Sequence, residues 1–195
     1  MTMKLLHLDA SSLGQHSVSR ELTAAIVTQL SQEHTALDVT YRDLTANPLP
    51  HWSPVVDAQS DAAKAGEVVM DEFQAADIVV IGAPMYNFSI PSQLKAWIDR
   101  IAVAGKTFSY TENGPKGLVE GKRVIIASSR GGIYSAGPAA GLDFQETYLR
   151  TVLGFLGITN IEFVRAEGVN MSADHKVKAI ASARDTITTL AAKAA

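Results

Sequence analysis

Asp77-Ile78-Val79-Val80-Ile81-Gly82-Ala83-Pro84-Met85-Tyr86-Asn87-Phe88-Ser89-Ile90-Pro91 is the stretch that decides the fold. Residues 78–83 are a continuous apolar run rich in β-branched side chains, the pattern of a strand covered on both faces. Pro84 stops the run and a short polar and aromatic loop follows. Pro91 suits the first turn of a helix, where a missing N–H costs nothing. Leu94, Trp97, Ile98 and Ile101 then recur at helical spacing. A strand covered on both faces asks its neighbours for parallel pairing and for helices above and below.

Toward the N-terminus the chain supplies both. Residues 3–9 are a short apolar run ending in Ala10-Ser11-Ser12, and Val18, Leu22, Ala25, Ile26 and Leu30 follow at helical spacing. The loop from Ser11 to Ser19 is rich in hydroxyls, with Ser17 placed as an N-cap; its N–H groups and the helix dipole make a seat for a phosphate. Taken alone, such serines equally well cap and turn. Leu37, Val39 and Tyr41 alternate with Asp38, Thr40 and Arg42, as in an edge strand with one polar face. Asn47-Pro48-Leu49-Pro50 is extended, residues 51–60 read as loop, and residues 61–75 read as a second helix.

Toward the C-terminus, Phe108 and Tyr110, the Asn113-Gly114-Pro115 turn and Leu118-Val119 predict a projecting hairpin. Residues 123–127 are a fourth apolar strand, ending in Ser128-Ser129-Arg130-Gly131-Gly132, whose glycines admit close approach of a ligand. Residues 143–156, with Phe144, Tyr148, Val152, Phe155 and Leu156, predict a helix ended by Gly157. Ile161, Phe163 and Val164 mark a fifth strand and residues 173–193 a final helix.

The 195 residues are 47 % hydrophobic, enough for one core with a sheet buried on both faces, and the chain reads as a single domain over 1–195. Seventeen basic against 20 acidic residues leave a net charge of −3, which gives no footprint for nucleic acid. Cysteine is absent, so thiol and disulfide chemistry is excluded and redox chemistry requires a cofactor. The N-terminal segment lacks the pattern of a signal peptide and no run reaches the length of a membrane span, so a cytoplasmic location is expected.

Five strands alternating with helices predict an α/β fold, a three-layer α/β/α sandwich around a parallel sheet. The dinucleotide fold expects Gly-x-Gly-x-x-Gly after the first strand, where this chain has serines, and a Walker phosphate loop is missing as well. The flavodoxin-like arrangement, a five-stranded parallel sheet of order 2-1-3-4-5, puts a single phosphate on a hydroxyl-rich loop at the switch between strands one and three. Three loops then meet at the carboxyl edge: Ser11 to Ser19, Met85 to Phe88 and Ser129 to Gly132. Together they suit flavin mononucleotide (FMN), with the phosphate in the first loop and the flat ring between the other two. The Asn87 amide and backbone N–H groups would tune a cofactor that carries the chemistry itself.

Pro84-Met85-Tyr86-Asn87-Phe88, Phe108-Ser109-Tyr110-Thr111-Glu112-Asn113-Gly114-Pro115 and Ser128-Ser129-Arg130-Gly131-Gly132 resemble segments of the bacterial FMN-dependent NADH azoreductases, which are also NADH:quinone oxidoreductases. The similarity extends over the chain, including Arg42-Asp43-Leu44 and Gly154-Phe155-Leu156-Gly157-Ile158. It implies a homodimer with one non-covalent FMN per subunit, NADH or NADPH as donor, and quinones and azo compounds as acceptors. It also implies Ser11, Ser17, Val18 and Ser19 at the phosphate end, with Met85, Tyr86, Asn87 and Phe88 at the ring. Ser129, Arg130, Gly131 and Gly132 would hold its other side, and Tyr110 and Phe155 the substrate pocket. The chain departs from the pattern most at residues 51–60, on the pocket rim.

A single-electron carrier of flavodoxin type is the competing reading; the modest net charge and a loop shaped for an open pocket weigh against it. A phosphoacceptor signalling domain needs an aspartate after the third strand, where Ala83-Pro84 stand. His7 reads as a satisfied core histidine, Trp97 as core or dimer interface, and the other histidines show no metal-site spacing.

Overall fold

The computed structural model describes residues 2–34, 36–54, 57 and 59–192. Along the chain run β1 (Met3–Asp9), α1 (Val18–Glu33), β2 (Leu37–Asp43), α2 (Asp61–Ala75), β3 (Ile78–Pro84), α3 (Ser92–Ile101), β4 (Phe108–Thr111), β5 (Gly114–Gly117), β6 (Arg123–Ser129), α4 (Glu146–Phe155), β7 (Asn160–Ala166) and α5 (Ala173–Ala192). The main sheet is parallel, in the order β2-β1-β3-β6-β7, while β4 and β5 pair separately as an antiparallel hairpin. The expected order 2-1-3-4-5 counted only strands of the main sheet. Because the hairpin takes the fourth and fifth places along the chain, the sheet's last two strands are β6 and β7.

The apolar run of β3 is buried throughout because both its faces carry helices. Ile78 and Val80 pack with Leu22, Ile26, Ala183 and Ile187, on the side of α1 and α5. Val79 and Ile81 pack with Phe73, Leu94, Trp97, Leu149 and Leu153, on the side of α2, α3 and α4. Strand periodicity thus divides one sequence run between two cores. Trp97 is fully buried, edge-on to Phe73 with ring centroids 5.7 Å apart, and so belongs to the core. Truncating it to alanine would cost about 3–5 kcal/mol. β2 is mostly exposed, as its alternating pattern predicts for an edge.

Several boundaries differ from expectation, and β3 itself runs on through Pro84, paired with Ser129. Pro91 is the residue before α3 rather than in its first turn, and its carbonyl accepts the Lys95 N–H. β6 continues to Ser129 because its ladder pairs Ser129 with both Pro84 and Ala166. α4 begins at Glu146, not at 143. The Asp143 carboxylate accepts the N–H groups of Gln145 and Glu146, which holds the chain in a turn and leaves Phe144 exposed outside the helix. Residues 55, 56 and 58 of the expected 51–60 loop and residue 193 of the expected final helix lie outside the described residues.

The hairpin docks against the end of α4. A Cβ on Gly117 would stand 2.2 Å from the Gly157 nitrogen, so only glycine permits that approach. The Val119 N–H donates to the Leu156 carbonyl at 2.9 Å and completes the seam. Among the described residues no helix is long and apolar enough to cross a membrane.

Candidate functional site

Parallel strands send all their following loops to one edge. There Ser11, Leu13, His16, Ser17 and Val18 line a cleft together with Pro84, Met85 and Tyr86, and with Ser129, Arg130 and Gly131. Val169, Asn170 and Lys176 close it from the far side. Its space, open mouth included, is about 480 Å³. A wider groove between α1 and α5 lies away from this edge, along helix flanks.

The first loop ends in a capped helix. The Ser17 hydroxyl accepts the Arg20 N–H at 3.2 Å and lies 3.1 Å from the Ser19 hydroxyl. The first-turn N–H groups of Val18 and Ser19 have no acceptor within the helix, as at any helix start. Ser19 itself is fully buried and absent from the cleft wall, so its hydroxyl steadies Ser17 instead of facing a ligand.

The second loop is a tight turn. Tyr86 N–H donates to the Ser89 carbonyl at 2.9 Å and Ser89 N–H to the Tyr86 carbonyl at 3.1 Å. Between them Asn87 (φ 49°) and Phe88 (φ 69°) are both left-handed. Asparagine tolerates that region, but for phenylalanine it costs about 1–2 kcal/mol. Backbone strain of this kind gathers at binding sites. The Tyr86 phenol reaches back to the first loop, 3.3 Å from the Ser11 hydroxyl, 3.0 Å from the Ser12 hydroxyl and 3.1 Å from the Ser12 N–H. Burial raises the phenol's pKa, but these hydrogen bonds outweigh it and the net shift is downward. Asn87, Phe88 and Gly132 lie outside the cleft wall; Phe88 meets Tyr134 edge-on at 6.1 Å, at the rim.

The third loop is zipped to the segment after β7. Arg130 N–H donates to Ala166, and the carbonyls of Arg130, Gly131 and Gly132 accept from Val169, Asn170 and Gly168. A Cβ on Gly131 would come 2.8 Å from the Asn170 amide nitrogen. Arg130 belongs to the cleft wall, and its side chain takes the ion-paired alternative to approaching a flavin. It is 1 % exposed and turned beneath the loop, paired with Asp143 at 2.9 Å, Glu146 at 2.6 Å and Glu167 at 3.0 Å. Its Nε also donates to the Gln145 side-chain oxygen at 2.9 Å, and Gln145 in turn donates to the Ala83 carbonyl at 2.6 Å. Burial raises the Glu167 pKa, but hydrogen bonds from the Ser135 hydroxyl and the Tyr134 N–H, with the charge of Arg130, bring it below the usual carboxylate value.

Tyr110 and Phe155 are not on the cleft wall either. Both pack on Phe108, at 5.5 and 4.7 Å, and form an aromatic cluster where the hairpin meets α4. Tyr110 is 76 % exposed. His7 is buried against the Tyr41 ring, as expected of a core histidine, with its Nε2 3.6 Å from the Asp9 carboxylate.

The sequence reading missed His16, Leu13, Val169, Asn170 and Lys176. The last three follow the fifth strand of the sheet, and the rule that located the other loops applies to that loop as well.

A five-stranded parallel sheet with its cleft at the β1/β3 switch defines a flavodoxin-like protein, and the family model described as "Flavodoxin-like fold" matches residues 3–190. More narrowly, the chain belongs to the family of FMN-dependent NADH:quinone oxidoreductases and azoreductases. It is 58 % identical over 196 residues to the FMN-dependent NADH:quinone oxidoreductase of Sinorhizobium fredii, covering 95 % of each chain. It is 63 % identical over 183 residues to that of Stenotrophomonas maltophilia, covering 93 % of this chain and 92 % of the relative. The crystal structure of an azoreductase from Bacillus anthracis superposes with a TM-score of 0.90 at 30 % identity, covering 98 % of this chain and all of the other.

Proposed function

We propose that this protein is an FMN-dependent NAD(P)H oxidoreductase that reduces quinones to hydroquinones and cleaves aromatic azo compounds to amines. The observation that carries the reading is the cleft at the start of α1, where hydroxyls, free helix N–H groups, a histidine and a lysine meet a strained aromatic turn. The residues fit FMN. Ser11, Ser17 and the N–H groups of Val18 and Ser19 would hold the phosphate, with Lys176 on the wall to offset its charge and the His16 ring beside it. Met85, Tyr86 and Gly131 would border the ring, and Asn87, Phe88 and Gly132 its outer rim.

When bound, FMN supplies hydride and two-electron transfer, accepting from NADH or NADPH and passing to a quinone or, in two rounds, to an azo bond, in a ping-pong cycle at one opening. The chain's own residues bind, orient and exclude water. Tyr86 is a tether, since its phenol is committed to Ser11 and Ser12. The exposed pair Tyr110 and Phe155, joined through Phe108, is suited to burial against a second copy, where its aromatic faces would border the partner's cleft. Such a homodimer needs no membrane or nucleic acid, and we place its work in the cytoplasm.

The test is spectroscopic. Purified protein is expected to carry a flavin absorbance that bleaches on anaerobic stopped-flow mixing with NADH and returns on addition of a quinone. Protein that takes up no FMN, or flavin that stays yellow with NADH and NADPH, would refute the proposal.

A further inference from the structure

The geometry points to Arg20 as a positioning residue for the cofactor phosphate: from the first turn of α1 it grips the Ser11 carbonyl and anchors on Asp43, fixing the β1–α1 loop in its binding shape. The inference rests on the FMN reading of the cleft. A guanidinium has five N–H donors, and here each is used. Nε and Nη2 donate to the Ser11 carbonyl at 3.2 and 2.8 Å. Nη1 and Nη2 donate to the two Asp43 oxygens at 2.7 and 2.8 Å, and Nη1 also to the Tyr41 hydroxyl at 3.2 Å. Arg20 does not line the cleft and touches no ligand position; it acts through Ser11, whose hydroxyl and that of Ser12 meet Tyr86.

The anchor is rigid. Asp43 Oδ1 also accepts the N–H groups of Thr45 and Ala46, at 2.9 and 3.1 Å, which locks the carboxylate at the end of β2. The hydrogen bond from Arg20 is the largest influence holding the Asp43 carboxyl down to about 2. The grip therefore links the ends of β1 and β2 and the start of α1, the parts that must keep register for a phosphate to meet the free N–H groups of Val18 and Ser19.

Charge adds a second role. Asp9, at the end of β1, is 4 % exposed and held by the Thr23 hydroxyl at 2.9 Å and the Tyr41 hydroxyl at 3.1 Å. Arg20 Nη1 lies 3.7 Å from it. Two carboxylates thus stand behind the loop proposed to receive a dianion, and Arg20 is the cation between them. Removing it both frees the loop and leaves those charges to repel the phosphate. A flavin without phosphate is indifferent to both effects, and that difference separates positioning from general stability.

The experiment titrates apoprotein with FMN and with riboflavin, following flavin fluorescence, for the wild type, Arg20→Met, Arg20→Lys and Asp43→Asn. Arg184→Met, which removes only an exposed pair with Glu21, is the control. Loss of hydrogen bonds to a charged group predicts FMN affinity about 10- to 100-fold weaker in Arg20→Met, with riboflavin affinity changed less than about threefold. Arg20→Lys keeps the charge but cannot fork between Ser11 and Asp43, so it remains weakened at least about fivefold. Asp43→Asn weakens FMN although it removes a negative charge.

The latch is overturned if Arg20→Met binds FMN as the wild type does, if FMN and riboflavin weaken equally, if lysine restores full affinity, or if Asp43→Asn tightens or preserves FMN binding. Should Arg20→Met not fold, the lysine and asparagine variants decide. Wild-type apoprotein that takes up no FMN overturns the flavin reading and the latch together, whereas an unaffected variant overturns the latch alone.

Discussion

Arg130→Met tests the buried ion cluster beneath the third loop. The guanidinium lies within 3.0 Å of three carboxylates, Asp143, Glu146 and Glu167, and its side chain is fully buried. Methionine fills much of the volume but leaves those acids facing one another, with Arg165, 2.7 Å from Glu146, left to offset them in part. Breaking a buried pair from one side costs about 3–5 kcal/mol, because the abandoned charges stay desolvated. Urea unfolding across pH resolves the cause. In the wild type the Glu167 pKa is held below the ordinary glutamate value of 4.5, so its contribution is present above that value and lost as pH falls through the lower folded pKa. In the variant Glu167 loses its cation and its folded pKa rises, so protonation relieves the folded state. The gap between the two proteins should be widest near neutral pH and shrink as pH falls below about 4.5. A gap below about 1 kcal/mol at neutral pH, or one that does not change with pH, would refute the reasoning.

Three further outcomes follow from contacts described above. Tyr86→Phe cuts the tether between the first two loops and should weaken FMN about 3- to 10-fold while lowering apoprotein stability by no more than about 1 kcal/mol, measured by titration and urea unfolding. Gly82→Ala places a Cβ 2.6 Å from Asp9 Oδ1 and 3.2 Å from Thr23 Cγ2; thermal melting should report a loss of about 1–3 kcal/mol. Asn87→Ala puts a less tolerant residue at φ 49° and removes an amide from the rim. It should weaken FMN or shift its midpoint potential while the far-ultraviolet circular dichroism stays that of the wild type; unchanged affinity and potential would count against a ring-side role.

The sheet was legible because its signals are local. Residues 78–83 could be a doubly covered strand from their own side chains, and Ser17 a cap from its place before Val18. The start of α4 was not legible, because Asp143 becomes a turn former through contacts on both sides. One oxygen takes nearby N–H groups while the other meets Arg130, thirteen residues earlier in the chain and brought there by β6. The partners of Arg130 were hidden for the same reason. Its neighbours Gly131 and Gly132 mark a ligand loop, but the direction of its side chain depends on Glu146 and Glu167, which sequence spacing does not bring together. Tyr110 and Phe155 were readable as aromatic partners, yet their site lies across the hairpin and not on this chain's own cleft.

Arg20 and Arg130 show how loops that must leave donors free are nevertheless held in place. A loop that spends its N–H groups on itself is rigid but has none left for a ligand; one that leaves them free lacks internal support. Here the support comes from outside the binding surface. Arg20 ties the first loop by its Ser11 carbonyl to the end of β2, and the Arg130 cluster reaches β3 through Gln145 and the Ala83 carbonyl. Both arginines use backbone acceptors or carboxylates that a phosphate would not contact, so the Val18 and Ser19 N–H groups remain available. Tyr86 then links the first and second loops across the cleft. If this division holds, Arg20→Met and Arg130→Met should differ in kind. The first should change the ratio of FMN to riboflavin affinity with a modest loss of stability, whereas the second should destabilise the fold and weaken both flavins alike. A variant pair with the two signatures exchanged would show that the cations are placed for the opposite tasks.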